Sequence, residues 1–211
     1  HLMCKHLLFV RCCGVYDMLR DVFLKFRDEF LDESALPLKK GNAFSSYATN
    51  DAKKIIYDAL DRPDLKAKVS VGQGRWAEVP WIGIFNPEIT NSAQDGIYIV
   101  YLFSADLKKV YLCQGQGVTS VEKEFGKDQN NELRRRNELI RSRVPEHETS
   151  YSNGLVELGG KTPRAKSYEP AVAYFKEYDL YNLPENTQLE SDLKEIINLG
   201  GVEETTINEA N

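Results

Sequence analysis

The chain has 211 residues, enough for one domain of ordinary size with short appendages. Hydrophobic residues make up 42% and charged residues 28%, which is too apolar for a disordered chain. No uncharged run approaches the ~18 apolar residues of a membrane-spanning helix, so we expect no membrane segment. The net charge of -5 argues against a protein that coats nucleic acid through its overall charge. However, the negative charge is concentrated in residues 170–211, which hold 9 acidic and only 2 basic residues. A polyanion-binding face on the near-neutral remainder therefore stays possible.

The cysteines and histidines do not show the spacing of a metal site or of a disulfide framework. The cysteines are Cys4, Cys12, Cys13 and Cys113, with no C-x-x-C pair. Two of the three histidines lie within the first six residues. We therefore expect no metal, no cofactor and no hydrolytic triad. The apolar N-terminal stretch lacks the cleavage site of a signal peptide, so we expect a cytoplasmic protein.

Three segments are expected along the chain. His1-Leu2-Met3 resembles the remnant of an expression tag, and residues 1–14 form an uncertain N-terminal segment. Residues 15–201 are expected to form one domain. Residues 202–211 are expected to be an acidic tail, or a linker to an effector domain.

Helical periodicity dominates the first sixty residues. Apolar residues recur at three- and four-residue spacing over residues 15–31, which predicts an amphipathic helix. Pro, Gly and small polar residues favour a loop over residues 36–46. A second helix is predicted from residue 50 or 51 until Pro63 prevents its continuation.

The pattern then changes to the alternation of strands. Apolar residues alternate with Lys66 and Lys68 over residues 65–71, which predicts a strand with one buried and one basic face. Residues 76–85 are a second apolar run, but Pro80 cannot donate to a sheet ladder. We therefore expect an edge position or a bulge at Pro80.

The remaining elements complete the predicted fold. Residues 97–103 read as a central strand buried on both faces, and residues 110–113 pair with it. A long charged helix is predicted from residue 119 or 120 to 143, then a strand over 171–178 and a final helix over 189–197. The fold class is thus α/β (α+β), with a mixed, mostly antiparallel twisted sheet flanked by helices.

Two short motifs suggest chemistry and are more simply read as loops. Gly160-Lys161-Thr162 resembles the end of a phosphate-binding loop, but Leu155 stands where that motif needs glycine. Asp64, Asp106 and Lys108 offer the groups of a small metal-dependent nuclease. Asp106 and Lys108 fall in a predicted hairpin turn, so the interpretation as turn residues is favoured and the nuclease is kept as an alternative.

An arginine cluster offers a phosphate-binding surface. Closely spaced guanidinium groups bind phosphates well. Glu132 and Glu138 interleave with the cluster, so a solvated helix face remains an equal alternative. The cluster consists of Arg134, Arg135, Arg136, Arg141 and Arg143.

The most informative block runs from Gly72 to Leu102. Two glycines flank a single residue, and a Val-Pro-Trp triplet and a Gly-Ile-Tyr triplet follow. An indole on an irregular strand can line a concavity, so Trp81 and Tyr98 are candidate walls for a planar ring.

This block carries a resemblance to a known family. The matching residues are 65–85 (LKAKVSVGQGRWAEVPWIGIF) and 92–103 (SAQDGIYIVYLF). They resemble the N-terminal DNA-binding domain of McrB-like proteins, the specificity subunits of type IV, modification-dependent restriction systems. The resemblance is clear over residues 65–117 and weaker through Ser167-Tyr168-Glu169 to the last helix.

The resemblance implies a non-catalytic reader of methylated cytosine in duplex DNA, which flips the modified base into a pocket. The family's pocket residues fall on Trp81, Tyr98 and Leu102, and the weaker match adds Tyr168. Positions 98 and 102 share one strand face, about 13 Å apart at ~3.3 Å per residue. The residue that fills the vacated stack falls on Gln73, where the best-known member has an aromatic ring.

The resemblance also implies partners. These are double-stranded DNA with methylated cytosine, and a nuclease subunit or fused effector domain in the complete system.

A protein-interaction domain remains a further alternative. The expected DNA-backbone contacts are Lys66, Lys68, Gly72, Gly74, Arg75, Arg134, Arg135 and Arg136.

Overall fold

A computed structural model of the protein describes residues 18–144 and 150–200, so the expected N-terminal segment 1–14 and tail 202–211 lie outside the described residues. A five-stranded antiparallel sheet with flanking helices confirms the α+β prediction. Within the described ranges, no helix is long and apolar enough to cross a bilayer. The strands are β1 (Lys66–Gly72), β2 (Trp76–Phe85), β3 (Ile97–Phe103), β4 (Lys109–Gln116) and β5 (Val172–Asp179). The α-helices are α1 (Leu19–Ser34), α2 (Ala43–Tyr47), α3 (Lys53–Leu60), α4 (Val118–Phe125), α5 (Gln129–Ser142), α6 (Pro163–Tyr168) and α7 (Asn186–Asn198).

The sheet follows chain order, with β1 and β5 at its edges. Every pairing is antiparallel, so the sheet is a meander. All seven residues of β3 are buried, as its unbroken apolar sequence predicts. Both faces of the sheet must therefore be covered.

Helices α1, α2, α3 and α7 cover one face of the sheet. Phe23 and Phe26 lie on the apolar stripe of α1 and are fully buried. The Phe26 ring stacks on Phe103 of β3 with centroids 4.6 Å apart, and Phe23 meets Tyr101 edge-on at 4.9 Å. This helical layer and the sheet face beneath it form the largest of the three hydrophobic clusters in the described residues.

The second predicted helix begins earlier than its sequence suggests. Asn42 caps α2, because its side chain accepts a hydrogen bond from the Ser45 amide at 2.8 Å. A π-helical segment, Ala48–Ala52, then joins α2 to α3. The loop predicted over residues 36–46 was therefore wrong at its end, because burial of Phe44 against Phe26 outweighs the weak helix propensity of the small polar residues.

The single long helix predicted over residues 119–143 was also wrong. It is divided into α4 and α5 at Gly126, which adopts a positive φ of 53°. Helix α5 docks through buried amides rather than a wide apolar face. Gln116 donates to the Asn137 side chain at 2.7 Å, and Asn137 donates to the Val172 carbonyl at 3.0 Å.

Helix α7 is fixed to β5 by a buried carboxylate. Asp192 is 2% exposed. It accepts hydrogen bonds from the Lys176 ammonium at 2.6 Å and from the Tyr178 hydroxyl at 2.7 Å. Paired in this way, the charge satisfies the requirement for burial.

Replacing this carboxylate should destabilise the fold. Asp192→Ala leaves the Lys176 ammonium and the Tyr178 hydroxyl without their acceptor, so we expect a loss of about 3 kcal/mol in the free energy of unfolding, measured by urea denaturation. Ser191→Ala, at the exposed neighbouring position, is the control and should change it by less than about 0.5 kcal/mol. Equal stability of the two variants would contradict this role for Asp192.

Candidate nucleic-acid interface

The face opposite the helical layer, called here the Trp81 face, carries the predicted pocket residues. Trp81 of β2 pairs directly with Leu102 of β3. Tyr98 lies on the same face four residues earlier in β3. Tyr98 and Leu102 belong to a second hydrophobic cluster, against which Trp81 and Tyr168 of α6 pack. The structure therefore brings the four sequence-predicted residues together.

An aromatic residue missed by the sequence reasoning joins this group. The Phe85 ring lies 5.0 Å from the Tyr98 ring, centroid to centroid. It covers Gly83, where a Cβ atom would come within 2.6 Å of the Phe85 ring and 3.1 Å of the Trp81 indole. The signal in the sequence was a glycine midway between two aromatic residues on one strand face.

The members of this group differ in their access to solvent. Tyr98 is 5% exposed and Leu102 is 3% exposed, whereas Trp81 and Tyr168 are half-buried. Burial raises the pKa of Tyr168, and its hydrogen bond with the Trp81 side chain lowers that pKa in part. Trp81 and Tyr168 are therefore the parts of the cluster that an incoming molecule meets first.

The loop between β2 and β3 packs against the buried Tyr98 side of the aromatic cluster. The Tyr98 hydroxyl donates to the Ala93 carbonyl at 3.1 Å, and burial raises the pKa of Tyr98. The same loop is held to α4, because the Gln94 carbonyl accepts from the Ser120 amide at 3.0 Å. These bonds fix the orientation of the Tyr98 ring.

A cation that the sequence reasoning did not select acts electrostatically on the two tyrosines. Arg164 of α6 is exposed and donates to the Thr119 hydroxyl at 3.0 Å. Its charge lowers the pKa of both Tyr98 and Tyr168, against the larger effect of burial. The sequence alone does not single out Arg164, because the six residues of α6 are too few to show a helical pattern of charges.

A large bulge in β2 precedes Trp81. Ser70 of β1 pairs with Trp81 of β2, and the next pair is Gly72 with Trp76. The two pairs are two residues apart in β1 but five residues apart in β2, so the extra residues of β2 bulge out of the sheet. An edge position or a bulge was expected at Pro80. Pro80 lies within this bulge, so the bulge is confirmed, and β2 is not an edge strand. The bulge therefore sets the position from which Trp81 projects.

The bulge is anchored by a carboxylate. Glu78 accepts hydrogen bonds from the Lys161 amide at 2.6 Å and the Thr162 amide at 2.8 Å. Thr162 caps α6, so Glu78 lies at the helix N-terminus, where a negative charge is favourable. The amides of the Gly-Lys-Thr segment thus bind the chain's own carboxylate, which agrees with its interpretation as a loop.

The turn between β1 and β2 presents Gln73 and Arg75 to solvent. Gly72 has a φ of 118°, and a Cβ atom there would lie 2.0 Å from the Arg75 carbonyl oxygen. Only glycine fits this position. Gly74 has a φ of 72° and open space around it. Glycine is favoured there only because other residues rarely adopt a positive φ.

The predicted basic contacts lie at both edges of the sheet. Lys66 and Lys68 are exposed and share the Trp81 face, because Lys68 pairs with Gly83 and Lys66 pairs with Phe85. The arginines of α5 lie beside β5. Four strand spacings of ~4.8 Å separate these edges, about 19 Å, with Trp81 and Tyr98 between them.

The α5 arginines differ in how much of their charge is available. Arg135 and Arg136 both pair with Glu132, at 2.8 and 2.7 Å, and their hydrogen bonds lower the pKa of Glu132 to about 2. Arg141 donates to the carbonyl of Ala173 and so helps to dock α5. Arg134 is exposed.

The groups needed by the nuclease alternative are not brought together. Asp64 precedes β1 at one end of the sheet and pairs with Arg62 at 2.6 Å. Asp106 lies in the β3–β4 turn at the other end, where it accepts from the Ser104 hydroxyl at 2.7 Å. The described residues contain no grouping of His, Cys, Asp and Glu suited to a metal ion.

An aromatic cluster beside a glycine turn, with exposed cations at the sheet edges, is an arrangement suited to binding a polyanion. The family model described as MrcB-like, N-terminal domain matches residues 26–200. The chain belongs to this family, and the predicted resemblance is confirmed. The family assigns the chain to the DNA-binding domains of restriction systems. None of the curated proteins matches the chain.

The anchor of the bulge should give a pH-dependent stability. Hydrogen bonds from Thr162 and then Lys161 hold the pKa of Glu78 below its usual 4.5. Its contribution is therefore present above about pH 4.5 and is lost as the pH falls through the lowered pKa of the folded state. Because solvent screens this exposed anchor, Glu78→Gln should reduce the free energy of unfolding by only about 0.5 kcal/mol at about pH 7.

In urea denaturation, the difference between the wild type and Glu78→Gln should shrink towards zero as the pH falls through the lowered pKa of Glu78. Glu88→Gln, at an exposed position, is the matched control and should show no comparable difference. A difference for Glu78→Gln that does not change with pH would contradict the anchor.

Proposed function

We propose that this domain reads 5-methylcytosine in duplex DNA by flipping the modified base out of the stack and into the aromatic cluster of the Trp81 face. The observation that carries the proposal is the convergence of Trp81, Tyr98, Leu102 and Tyr168 on this face. Trp81 and Tyr98 supply ring surfaces, and Leu102 supplies an apolar contact for the 5-methyl group.

Energetics supports an aromatic receptor for an extruded base. Flipping costs a few kcal/mol of stacking and pairing. A stacked aromatic side chain returns about 1–3 kcal/mol per base, and the half-buried Trp81 indole is the accessible ring for this contact. Burial of a methyl group adds about 0.8 kcal/mol, which favours methylcytosine over cytosine.

The turn at Gln73 is proposed to enter the space that the flipped base leaves. Its two glycines adopt positive φ angles, so the backbone projects Gln73 as an exposed tip. The amide can hydrogen-bond the orphaned guanine. Lys66, Lys68 and Arg75 are proposed to bind phosphates beside the pocket, as are Gly72 and Gly74 through their backbone. At the far edge, Arg134 to Arg136 are proposed to do the same.

The domain is proposed to supply recognition and no catalysis. Cleavage then requires a nuclease subunit or a fused effector domain, and we expect the system to act in the cytoplasm, where its DNA target lies. The Trp81 face carries the proposed pocket between two basic edges, an arrangement suited to a duplex that bridges both.

The deciding measurement is binding to matched duplexes with and without 5-methylcytosine after a purine, at ~150 mM salt so that bulk charge does not mask the difference. We expect at least a several-fold preference for the methylated duplex. Equal binding would contradict methylcytosine recognition, and binding no better than to a neutral polymer would favour a protein-interaction domain.

Trp81→Ala should abolish this preference while weak binding to both duplexes remains, because the phosphate contacts are unchanged. Tyr181→Ala is the control, since Tyr181 is an exposed aromatic residue whose ring lies against Arg27 of the helical layer. Circular dichroism and thermal unfolding should establish that both variants fold. An unchanged preference in Trp81→Ala would contradict the assignment of the pocket.

Changing the tip of the turn should alter affinity without changing the pocket. Gln73→Tyr introduces a ring that stacks in the vacated space, and about 1.4 kcal/mol of added stacking corresponds to a tenfold gain in affinity for the methylated duplex. Gln73→Ala should weaken binding to that duplex. Fluorescence anisotropy with both duplexes measures this, and equal affinities for the three proteins would exclude a role for Gln73 in the stack.

A further inference from the structure

A groove outside the aromatic cluster runs along the exposed edge of β1. It lies between this edge strand and the helical segment formed by the π-helix and α3, and its volume is about 420 Å³. Lys66 and Lys68 on its strand side are already proposed to bind phosphates, but no role has been assigned to its helical side. Its lining residues are Thr49, Lys53, Tyr57, Lys66, Ala67, Lys68, Val69, Phe85 and Asn91.

One wall of the groove is a single helical stripe. Thr49, Lys53 and Tyr57 follow one another at four-residue spacing, which places their side chains on one side of the helical segment. Thr49 lies within the π-helical segment. Such segments are rare and frequently occur at functional sites.

The groove is basic. Its charged lining residues are Lys53, Lys66 and Lys68, and no carboxylate lines it. Lys53 and Lys66 are exposed on opposite walls, one on α3 and one on β1. In the described part of the chain, none of the three lysines forms an ion pair with a carboxylate. Their charge is therefore available to an anionic ligand.

The groove is continuous with the aromatic cluster. Phe85 lines the groove and also packs against Tyr98. Lys66 and Lys68 are two residues apart on an extended strand, hence about 6.6 Å at ~3.3 Å per residue. This spacing allows the two ammonium groups to contact neighbouring phosphates of one DNA strand.

We propose that this groove binds the sugar-phosphate backbone of the same duplex whose modified base enters the pocket, with Lys53 on α3 as the phosphate contact opposite Lys66 and Lys68. The proposal rests on the proposed function and adds the helical segment 48–60 to the DNA-binding surface. Because phosphate contacts carry no sequence information, the groove contributes affinity and not preference for the methylated base.

The test compares Lys53→Ala with Lys54→Ala in binding to methylated and unmodified duplexes over a range of salt concentrations. Both lysines are exposed on α3, but only Lys53 lines the groove. Lys53→Ala should weaken binding to both duplexes by a similar factor, about fivefold, and lower the slope of log K against log salt by about 0.9. Lys54→Ala should leave both quantities close to those of the wild type, and Lys53→Arg should restore them.

The failure of this proposal can be distinguished from failure of the proposed function. Equal effects of Lys53→Ala and Lys54→Ala, with the methyl preference intact, would overturn the groove and leave the pocket in place. A loss of methyl preference in Lys53→Ala at an unchanged salt slope would overturn the assignment of Lys53 to a phosphate. Absence of DNA binding by the wild type would overturn both proposals.

Discussion

Burial of β3 on both faces is the constraint on which the rest of the structure depends. All seven of its residues are buried, so each face of the sheet requires its own cover. The helical layer covers one face through the aromatic residues of α1. Segments that follow α5 cover part of the other face, with Val156, Leu158 and Ala165 in the second cluster. The candidate site lies where this second cover ends, because Trp81 and Tyr168 are half-buried there.

Polar anchors hold the irregular second cover in place. Glu78 binds the amides that open α6, and Glu169 accepts a hydrogen bond from the Leu158 amide at 3.0 Å. The amides of Gln116 and Asn137 fix α5 beside β5. A polar group buried without a partner is costly, so the buried bonds of Gln116 and Asn137 also specify one arrangement of the chain. The position of Trp81 and Tyr168 is thus determined by hydrogen bonds as much as by apolar packing.

The separation of apolar recognition from charge gives the proposed function its physical basis. The aromatic cluster lies on β2 and β3, while the available cations lie at the sheet edges and on the helical segment 48–60. An apolar pocket discriminates a methyl group through contact area. Cations at a distance add affinity that is independent of base identity. The strongly paired Arg135 and Arg136 contribute less free charge than the exposed Lys66 and Lys68.

Local pattern in the sequence determined the strands and the face on which their residues lie. Alternation over residues 65–71, the two-sided apolar run of β3 and the bulge at Pro80 all follow from the period of two and from the missing amide of proline. The family resemblance then selected Trp81, Tyr98 and Leu102. The break at Gly126 is also local, since it follows from the positive φ of a glycine. Only the tertiary structure decided the early start of α2 and the approach of Phe85 to Tyr98. These features depend on contacts between residues far apart in the chain, which local propensity does not contain.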